Sequence, residues 1–190
     1  MSRPALFLDR DGVINVDHAY VYRPEDFDFM PGIFDLVARA GAAGYTVVVV
    51  TNQSGIGRGY YGEDDFERLT QWMRARFAER DGRLDAVYHC PHHPRDALEP
   101  WRRDCPDRKP APGMLLRARD ALNVDLAGSV LVGDRPSDLE AARRAGVGTR
   151  LLFAPETPDA DQADALQADP QARRIRSLQE AAALLETGRS

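Results

Sequence analysis

The chain has 190 residues, 43% of them hydrophobic, and a formal net charge of −5. That length holds one domain with a full core, or one domain with a small insertion. The acidic balance, with basic residues interspersed among acids, argues against a broad nucleic-acid footprint. No run approaches the roughly 20 apolar residues a membrane span needs. Met1-Ser2-Arg3-Pro4 leads almost directly into an apolar run, with no room for a signal peptide. A cytoplasmic protein without nucleic-acid or membrane partners is expected. Nothing apolar and stripe-like demands a second chain, so a monomer is expected. Cys90 and Cys105, the two cysteines, should then stay reduced, and their neighbours suggest metal instead of a disulfide.

Short β-rich runs alternate with helical patterns, which predicts an α/β fold: a Rossmann-like parallel sheet with helices on both faces and no large cap domain. Residues 5–9 read as the first strand. Residues 33–43 read as a helix with Ile33, Phe34, Leu36, Val37 and Ala40 on one face, ended by Gly44. Residues 46–51 form a continuous apolar, β-branched run, the pattern of a strand buried on both faces. A second helix spans 63–80, with Phe66, Leu69, Met73 and Phe77 at helical spacing. A short strand follows at 85–89. An irregular insertion rich in Pro, His, Asp and Cys occupies about 90–112. Beyond it come a helix at 112–122, a strand at 129–133 and a helix at 136–145. Pro136 suits the first helical turn, and Gly146 suits the position after the end. A strand at 150–153, a loose polar connection at 155–171 with room for a weak helix, and an amphipathic helix at 177–185 complete the chain.

Polar residues with chemical potential close the apolar runs. Asp9 and Asp11 follow Ala5-Leu6-Phe7-Leu8, Thr51 follows Val47-Val48-Val49-Val50, and Asp134 follows Val130-Leu131-Val132-Gly133. Lys109 stands in Arg108-Lys109-Pro110. Residues two apart on a strand point the same way, so Asp9 and Asp11 can project together from the strand's carboxyl end, where open α/β sheets bind ligands. Carboxylates this close repel unless a cation sits between them. Mg²⁺ suits them because it takes oxygen ligands, and Asp134 can supply a third carboxylate. Gly12 lets the backbone turn tightly there. Each motif alone has a plainer reading: a surface turn, a strand end, a solvated lysine, a helix cap at Asp134 and Asp138. Together, in order, they form a kit for moving a phosphoryl group.

At these motifs the chain resembles the haloacid dehalogenase-type phosphatases. Asp9-Arg10-Asp11-Gly12-Val13 fits that family's Asp-x-Asp-Gly-(Thr/Val) pattern. The resemblance implies that Asp9 is the nucleophile and Asp11 the general acid and base. Thr51 and Lys109 are then the stabilisers of the transferring group, and Mg²⁺ sits on Asp9, Asp11 and Asp134. Longer stretches (residues 14–21, 51–59, 90–94, 108–116 and 145–149) are similar to the heptose-bisphosphate phosphatases. That branch removes the 7-phosphate of D-glycero-D-manno-heptose 1,7-bisphosphate on the way to nucleotide-activated heptose for lipopolysaccharide or surface glycans. A small sugar-bisphosphate partner follows. The expected contacts are the loop Asp17, His18, Ala19 and Tyr20, the polar run Asn52, Gln53 and Ser54, and Arg108 and Arg135 as a fork for the distal phosphate. Arg58 reads as an exposed loop charge.

The insertion resembles the family's structural zinc loop, which places Cys-x-His and Cys-x-Cys here. Cys90, His92 and Cys105 match. Asp107 stands where a cysteine is expected, which makes it the expected fourth ligand for Zn²⁺, with His93 as an alternative. Two other functions remain open to the sequence. Histidinol-phosphate phosphatases share the scaffold and the metal loop, although the run Asn15-x-Asp17-His18-x-Tyr20 favours the heptose reading. Receiver domains also phosphorylate an aspartate on Mg²⁺, but they are nearer 120 residues and carry the lysine in another order.

Overall fold

In the computed structural model, which describes residues 2–187, six parallel strands form one sheet in the order β3-β2-β1-β4-β5-β6. They are β1 (Arg3–Leu8), β2 (Thr46–Asn52), β3 (Ala86–Cys90), β4 (Val124–Gly133), β5 (Thr149–Phe153) and β6 (Ala172–Ile175). The helices among the described residues are α1 (Ile33–Ala42), α2 (Ser54–Gly57), α3 (Glu63–Ala78), α4 (Gly113–Leu122), α5 (Pro136–Ala145), α6 (Ala160–Ala168) and α7 (Leu178–Thr187). This is the expected Rossmann-like α/β sheet, and no cap domain stands among the described residues.

The apolar runs are buried on both faces because helices cover both. Along β1, Leu6 and Leu8 enter a core with α1, α3 and α7, while Ala5 and Phe7 enter a second core with α4 and α5. β2 divides the same way, Val47 and Val49 against Val48 and Val50. The strand period of two thus builds one core on each side of the sheet. From β1 the chain winds outward to β2 and β3, then returns to β4 and winds outward on the other side. The crevice above the carboxyl ends of β1 and β4 is therefore a topological switch point. The Asp9 N–H donates to the Val132 carbonyl at 3.1 Å, which ties the two strand ends together.

Most element ends fall within two residues of the sequence expectation, the usual uncertainty of such ends. Three differences have physical causes. β4 begins at Val124 instead of Ser129. Its first residues pair with Arg3 and Pro4, and the register then shifts between Pro4 and Leu6. There the Ser129 hydroxyl accepts the Ala5 N–H at 2.8 Å, so a side chain stands in for a ladder carbonyl. The polar sequence of that irregularity hides the strand. The connection at 155–171, where a weak helix had room, contains the defined helix α6. Asp159 caps this helix by accepting the Gln162 N–H at 2.8 Å, and Gln162 Oε1 accepts the Asp159 N–H at 3.2 Å. Its apolar face is small, Ala165 and Leu166 against Leu139, Leu152 and Ala154, so helical periodicity is faint. β6, reading Ala-Arg-Arg-Ile, is an edge strand, where charged side chains are tolerated.

A buried ion pair fixes α6 and β6 to the sheet. Arg150 is 4% exposed and Asp169 6%. The Arg150 Nε and Nη2 groups donate to the two Asp169 carboxylate oxygens at 2.5 and 2.7 Å, Nη1 to the Val147 carbonyl at 2.5 Å, and Nη2 also to Gln171 at 2.8 Å. Those bonds, the Arg150 pair foremost, hold the Asp169 carboxyl below its usual range. Asp169→Ala should cost about 3–5 kcal/mol by stranding a buried guanidinium, measured as a lowered denaturant midpoint at pH 7. Because the folded pKa is depressed, the contribution is present above the unfolded value of about 3.9 and is lost as pH falls through the folded one. Wild-type and variant stabilities should therefore converge in acid.

Candidate active site

The crevice holds one buried cation among three buried or half-buried carboxylates. Lys109 arrives from the loop before α4 and is 4% exposed. Its ammonium lies 2.9 Å from Asp9 Oδ1 and 2.6 Å from Asp138 Oδ1, and it donates to the Val50 carbonyl at 2.9 Å. Burial works to lower its pKa, but Asp138 and Asp9 outweigh that and raise it, so the charge stays. Asp138 performs two tasks: its Oδ2 accepts the Arg135 N–H at 3.0 Å and caps α5, while Oδ1 faces Lys109. Only the capping half is visible in sequence spacing. Close approach requires Gly133, where a Cβ would lie 2.3 Å from the Asp138 Cβ.

Asp9, Asp134 and Asp138 offer carboxylate oxygens that all lie within 4.8 Å of one another. Asp134 Oδ1 is buried without a hydrogen-bond partner. Burial pushes the Asp134 carboxyl up to about 8, with the Asp9 and Asp138 charges adding to the rise. Burial likewise pushes Asp9 up to about 7 against the pull of Lys109, with Asp138 adding to it. Gly12 stands beside them with φ +91°, and a Cβ there would lie 2.2 Å from Asp134 Oδ2. An orphaned oxygen, crowded carboxylates and a cleared wall fit a small hard cation.

Asp11 does not join this group through its side chain. Its Oδ1 accepts from Arg10 Nη2 at 2.9 Å and from Asn15 Nδ2 at 3.0 Å, and its Oδ2 accepts from Gln53 Nε2 at 2.9 Å. These donors occupy both oxygens of the carboxylate. Of the carboxylates expected to share a cation, Asp9 and Asp134 are brought together, with Asp138 beside them, and the Asp11 side chain stands outside that group. Arg10, 1% exposed, also donates to the Val21 carbonyl at 2.7 Å and so ties Asp11 to the loop behind it. Gln53 is buried and donates to Thr51 Oγ1 at 2.8 Å. Its own oxygen accepts the Tyr61 hydroxyl at 2.5 Å. Gln53 thus orders Asp11 and Thr51, while the Thr51 hydroxyl keeps its hydrogen to donate.

A cavity of about 530 Å³ opens over this centre. Asp17, Ala19, Tyr20, Asn52, Ser54, Arg108 and Arg135 line it, together with Arg58. Arg58 was expected as a surface charge; the short helix α2 instead turns it inward, anchored to Asp96 at 3.0 Å. The four-residue helix is too short for periodicity to reveal. His18 is not brought to the cavity. Its imidazole lies 2.8 Å from Asp28 on the exposed side of the loop, where Ala19 and Tyr20, with left-handed φ of +59° and +55°, bend the chain beyond it. Asn52 lines the wall but spends its amide on the Lys109 backbone, accepting its N–H at 3.0 Å and donating to its carbonyl at 3.1 Å. Arg135 donates to Asp17 at 2.8 Å and closes the rim.

Behind Arg108 lies a second cluster. Cys90 Sγ, a ring nitrogen of His92 and Cys105 Sγ lie within 4.8 Å of one another. His92 Nε2 is buried without a partner. Burial pushes the Cys90 thiol up to about 12 and lowers His92, so both are neutral donors in the absence of an ion. Asp107 departs from the expected ligand set: it pairs with Arg117 at 2.7 Å. His93 Nδ1 is occupied by the backbone N–H of Arg95 and Asp96. Arg108 reaches the cluster by donating to the His92 carbonyl at 3.0 Å.

The chain is similar to several heptose-bisphosphate phosphatases. Residues 107–181 match the HAD-hydrolase-like family model. The chain is 50% identical over 166 residues to the D-glycero-beta-D-manno-heptose-1,7-bisphosphate 7-phosphatase of Vibrio cholerae, covering 87% of this chain and 89% of that one. It is 52% identical over 153 residues to the D-glycero-alpha-D-manno-heptose-1,7-bisphosphate 7-phosphatase of Burkholderia mallei, covering 80% and 81%. The fold superposes on D,D-heptose 1,7-bisphosphate phosphatase from B. bronchiseptica, solved with magnesium and phosphate, with TM-score 0.81 and 34% identity over 96% of this chain and 98% of that one.

The crowded acids predict a stability cost. A carboxyl whose folded pKa is raised binds its proton in the folded state, so metal-free stability falls as pH rises from about 4 toward 8. Asp134→Asn removes the charge and should stabilise the metal-free protein by about 1–2 kcal/mol at pH 8, with the gain shrinking toward pH 4. Denaturant unfolding in chelator at both pH values measures it; an unchanged or lower midpoint at pH 8 would contradict the account.

Proposed function

The chain belongs to the D-glycero-D-manno-heptose-1,7-bisphosphate 7-phosphatases of the haloacid dehalogenase-like superfamily, and we propose that it hydrolyses the 7-phosphate of heptose 1,7-bisphosphate through an aspartyl-phosphate on Asp9. The observation that carries this reading is the Lys109 ammonium held between Asp9 and Asp138 beneath an arginine-rimmed cavity. Asp9 Oδ1 is fixed by Lys109 and by the Arg10 N–H at 2.7 Å, which leaves Oδ2 to attack phosphorus. The O–P bond to the sugar breaks, and Asp11 protonates the leaving oxygen. Asp11 then takes a proton from water, whose oxygen attacks the aspartyl-phosphate and releases inorganic phosphate and Asp9. Lys109, the Thr51 hydroxyl and nearby N–H groups stabilise the equatorial oxygens. Asp9 and Asp134 would hold Mg²⁺, which supplies charge neutralisation for the carboxylate and phosphate that must approach each other.

Arg58, Arg108 and Arg135 surround the cavity and suit the distal phosphate, with Asp17 and Tyr20 offering partners to the sugar hydroxyls. The product would feed nucleotide-activated heptose for lipopolysaccharide or surface glycans. Steady-state rates on the α- and β-anomers of heptose 1,7-bisphosphate, set against histidinol phosphate, test the substrate. Asp9→Asn should lower kcat by several orders of magnitude and abolish the acid-trapped phosphoenzyme. A higher kcat/KM on histidinol phosphate would move the assignment, and an active Asp9→Asn enzyme would remove the mechanism.

For the second cluster the reading is one structural Zn²⁺ on Cys90, His92 and Cys105. Such a site would order the loop that delivers Arg108 and Lys109. Asp107→Cys should tighten it, because a thiolate is the softer ligand and a neutral thiol has less to gain from Arg117. Elemental analysis and chelator competition report the outcome. Protein purified without chelator that holds no zinc, and whose Cys105→Ser variant is fully active, would show the site to be lost.

A further inference from the structure

We propose that Gln162, in α6, is a positioning residue that sets the metal-binding geometry of Asp134. The inference rests on the reading that Asp134 holds Mg²⁺. The Asp134 carboxylate has little to place it: Oδ1 is buried without a hydrogen-bond partner, and Oδ2 lies 3.8 Å from Arg135 Nε. Its position comes from the backbone, and the peptide that follows it is held at both polar atoms. The Arg135 N–H donates to Asp138 Oδ2 at 3.0 Å. The Asp134 carbonyl accepts from Gln162 Nε2 at 2.8 Å.

The glutamine amide is oriented by both its partners. Its oxygen faces a donor, the Asp159 N–H at 3.2 Å, and its nitrogen faces an acceptor, the Asp134 carbonyl. Turning the amide over would break both bonds. The helix that carries it is braced at each end. Before α6, Arg174 donates to the Ala154 and Glu156 carbonyls at 3.0 and 2.5 Å. After it, Asp169 is clamped by Arg150. Two long-range supports thus aim a short, weakly apolar helix at one carbonyl beside the reacting centre.

Three variants separate positioning from helix stability. Gln162→Ala loses the bond to Asp134 and part of the cap. Gln162→Glu keeps an acceptor for the Asp159 N–H but turns an oxygen on the Asp134 carbonyl. Asp159→Ala weakens the cap and leaves the Gln162 amide in place. Mg²⁺ binding is measured by calorimetry on the full chain without phosphate, beside the unfolding temperature. Gln162→Ala should weaken Mg²⁺ about tenfold, as loss of a supporting partner of a metal ligand does, and Gln162→Glu at least as much. Asp159→Ala should lower the unfolding temperature and leave Mg²⁺ affinity unchanged. Wild-type affinity in Gln162→Ala overturns the inference alone, and so does an equal loss in Asp159→Ala, which would make helix placement the cause. A wild-type chain that takes up no Mg²⁺ would sink the metal reading and this inference with it.

Discussion

The Lys109 ammonium between Asp9 and Asp138 is the contact on which the active crevice depends. A cation 4% exposed pays a large desolvation cost, and only the flanking carboxylates keep it charged. The dependence is mutual, since those carboxylates would otherwise face each other in a buried cleft. The fold meets the requirement from three directions. β1 delivers Asp9, α5 delivers Asp138, and Asn52 at the end of β2 grips the Lys109 backbone on both its N–H and its carbonyl. Gly12 and Gly133 are the clearances that let these parts approach.

The residues around this centre form two functional layers. Asp9, Asp11, Thr51 and Lys109 line the cavity, and Asp134 shares a carboxylate cluster with Asp9. Gln53, Tyr61 and Asp138 line it too, with Arg10 behind the wall, and these four fix the angles of the first set through hydrogen bonds and an ion pair. A buried polar network is stabilising only when its members are satisfied. One exception here is informative. Asp134 Oδ1 is left without a partner where three carboxylates converge on a space fit for an ion. The arginine rim is a third element. With no cap domain among the described residues, Arg58, Arg108 and Arg135 put the positive charge at the cavity wall.

Strands that end in a functional side chain were the legible part of the sequence. β1, β2 and β4 are apolar on both faces, so their carboxyl ends, and with them Asp9, Thr51 and Asp134, stand out. What spacing does not carry is the direction of a side chain in a loop. His18 sits between Asp17 and Ala19, both at the cavity, yet faces Asp28, where two left-handed residues follow it. Asp107 occupies a ligand position by resemblance to the family's zinc loop, and Arg117, one helix further on, takes its carboxylate. Strand alternation places Asp11 beside Asp9 as a metal ligand; the strand ends at Leu8, so the two-residue alternation no longer governs it. Long-range side-chain partners are invisible in each case.

The same limit explains why 155–171 read as a loose connection. A helix is recognised by its apolar stripe, and α6 has almost none. Its position comes instead from ionic and capping contacts whose partners lie far away in sequence: Arg150 with Asp169, Arg174 with the carbonyls before the helix, and Asp159 with Gln162. Contacts of that kind are directional, whereas apolar packing tolerates sliding and rotation. A segment held by them orients a polar side chain more narrowly than its small buried area would suggest. A carbonyl that must keep its angle beside a crowded group of acids is where such a segment is most useful, and α6 presents Gln162 to it.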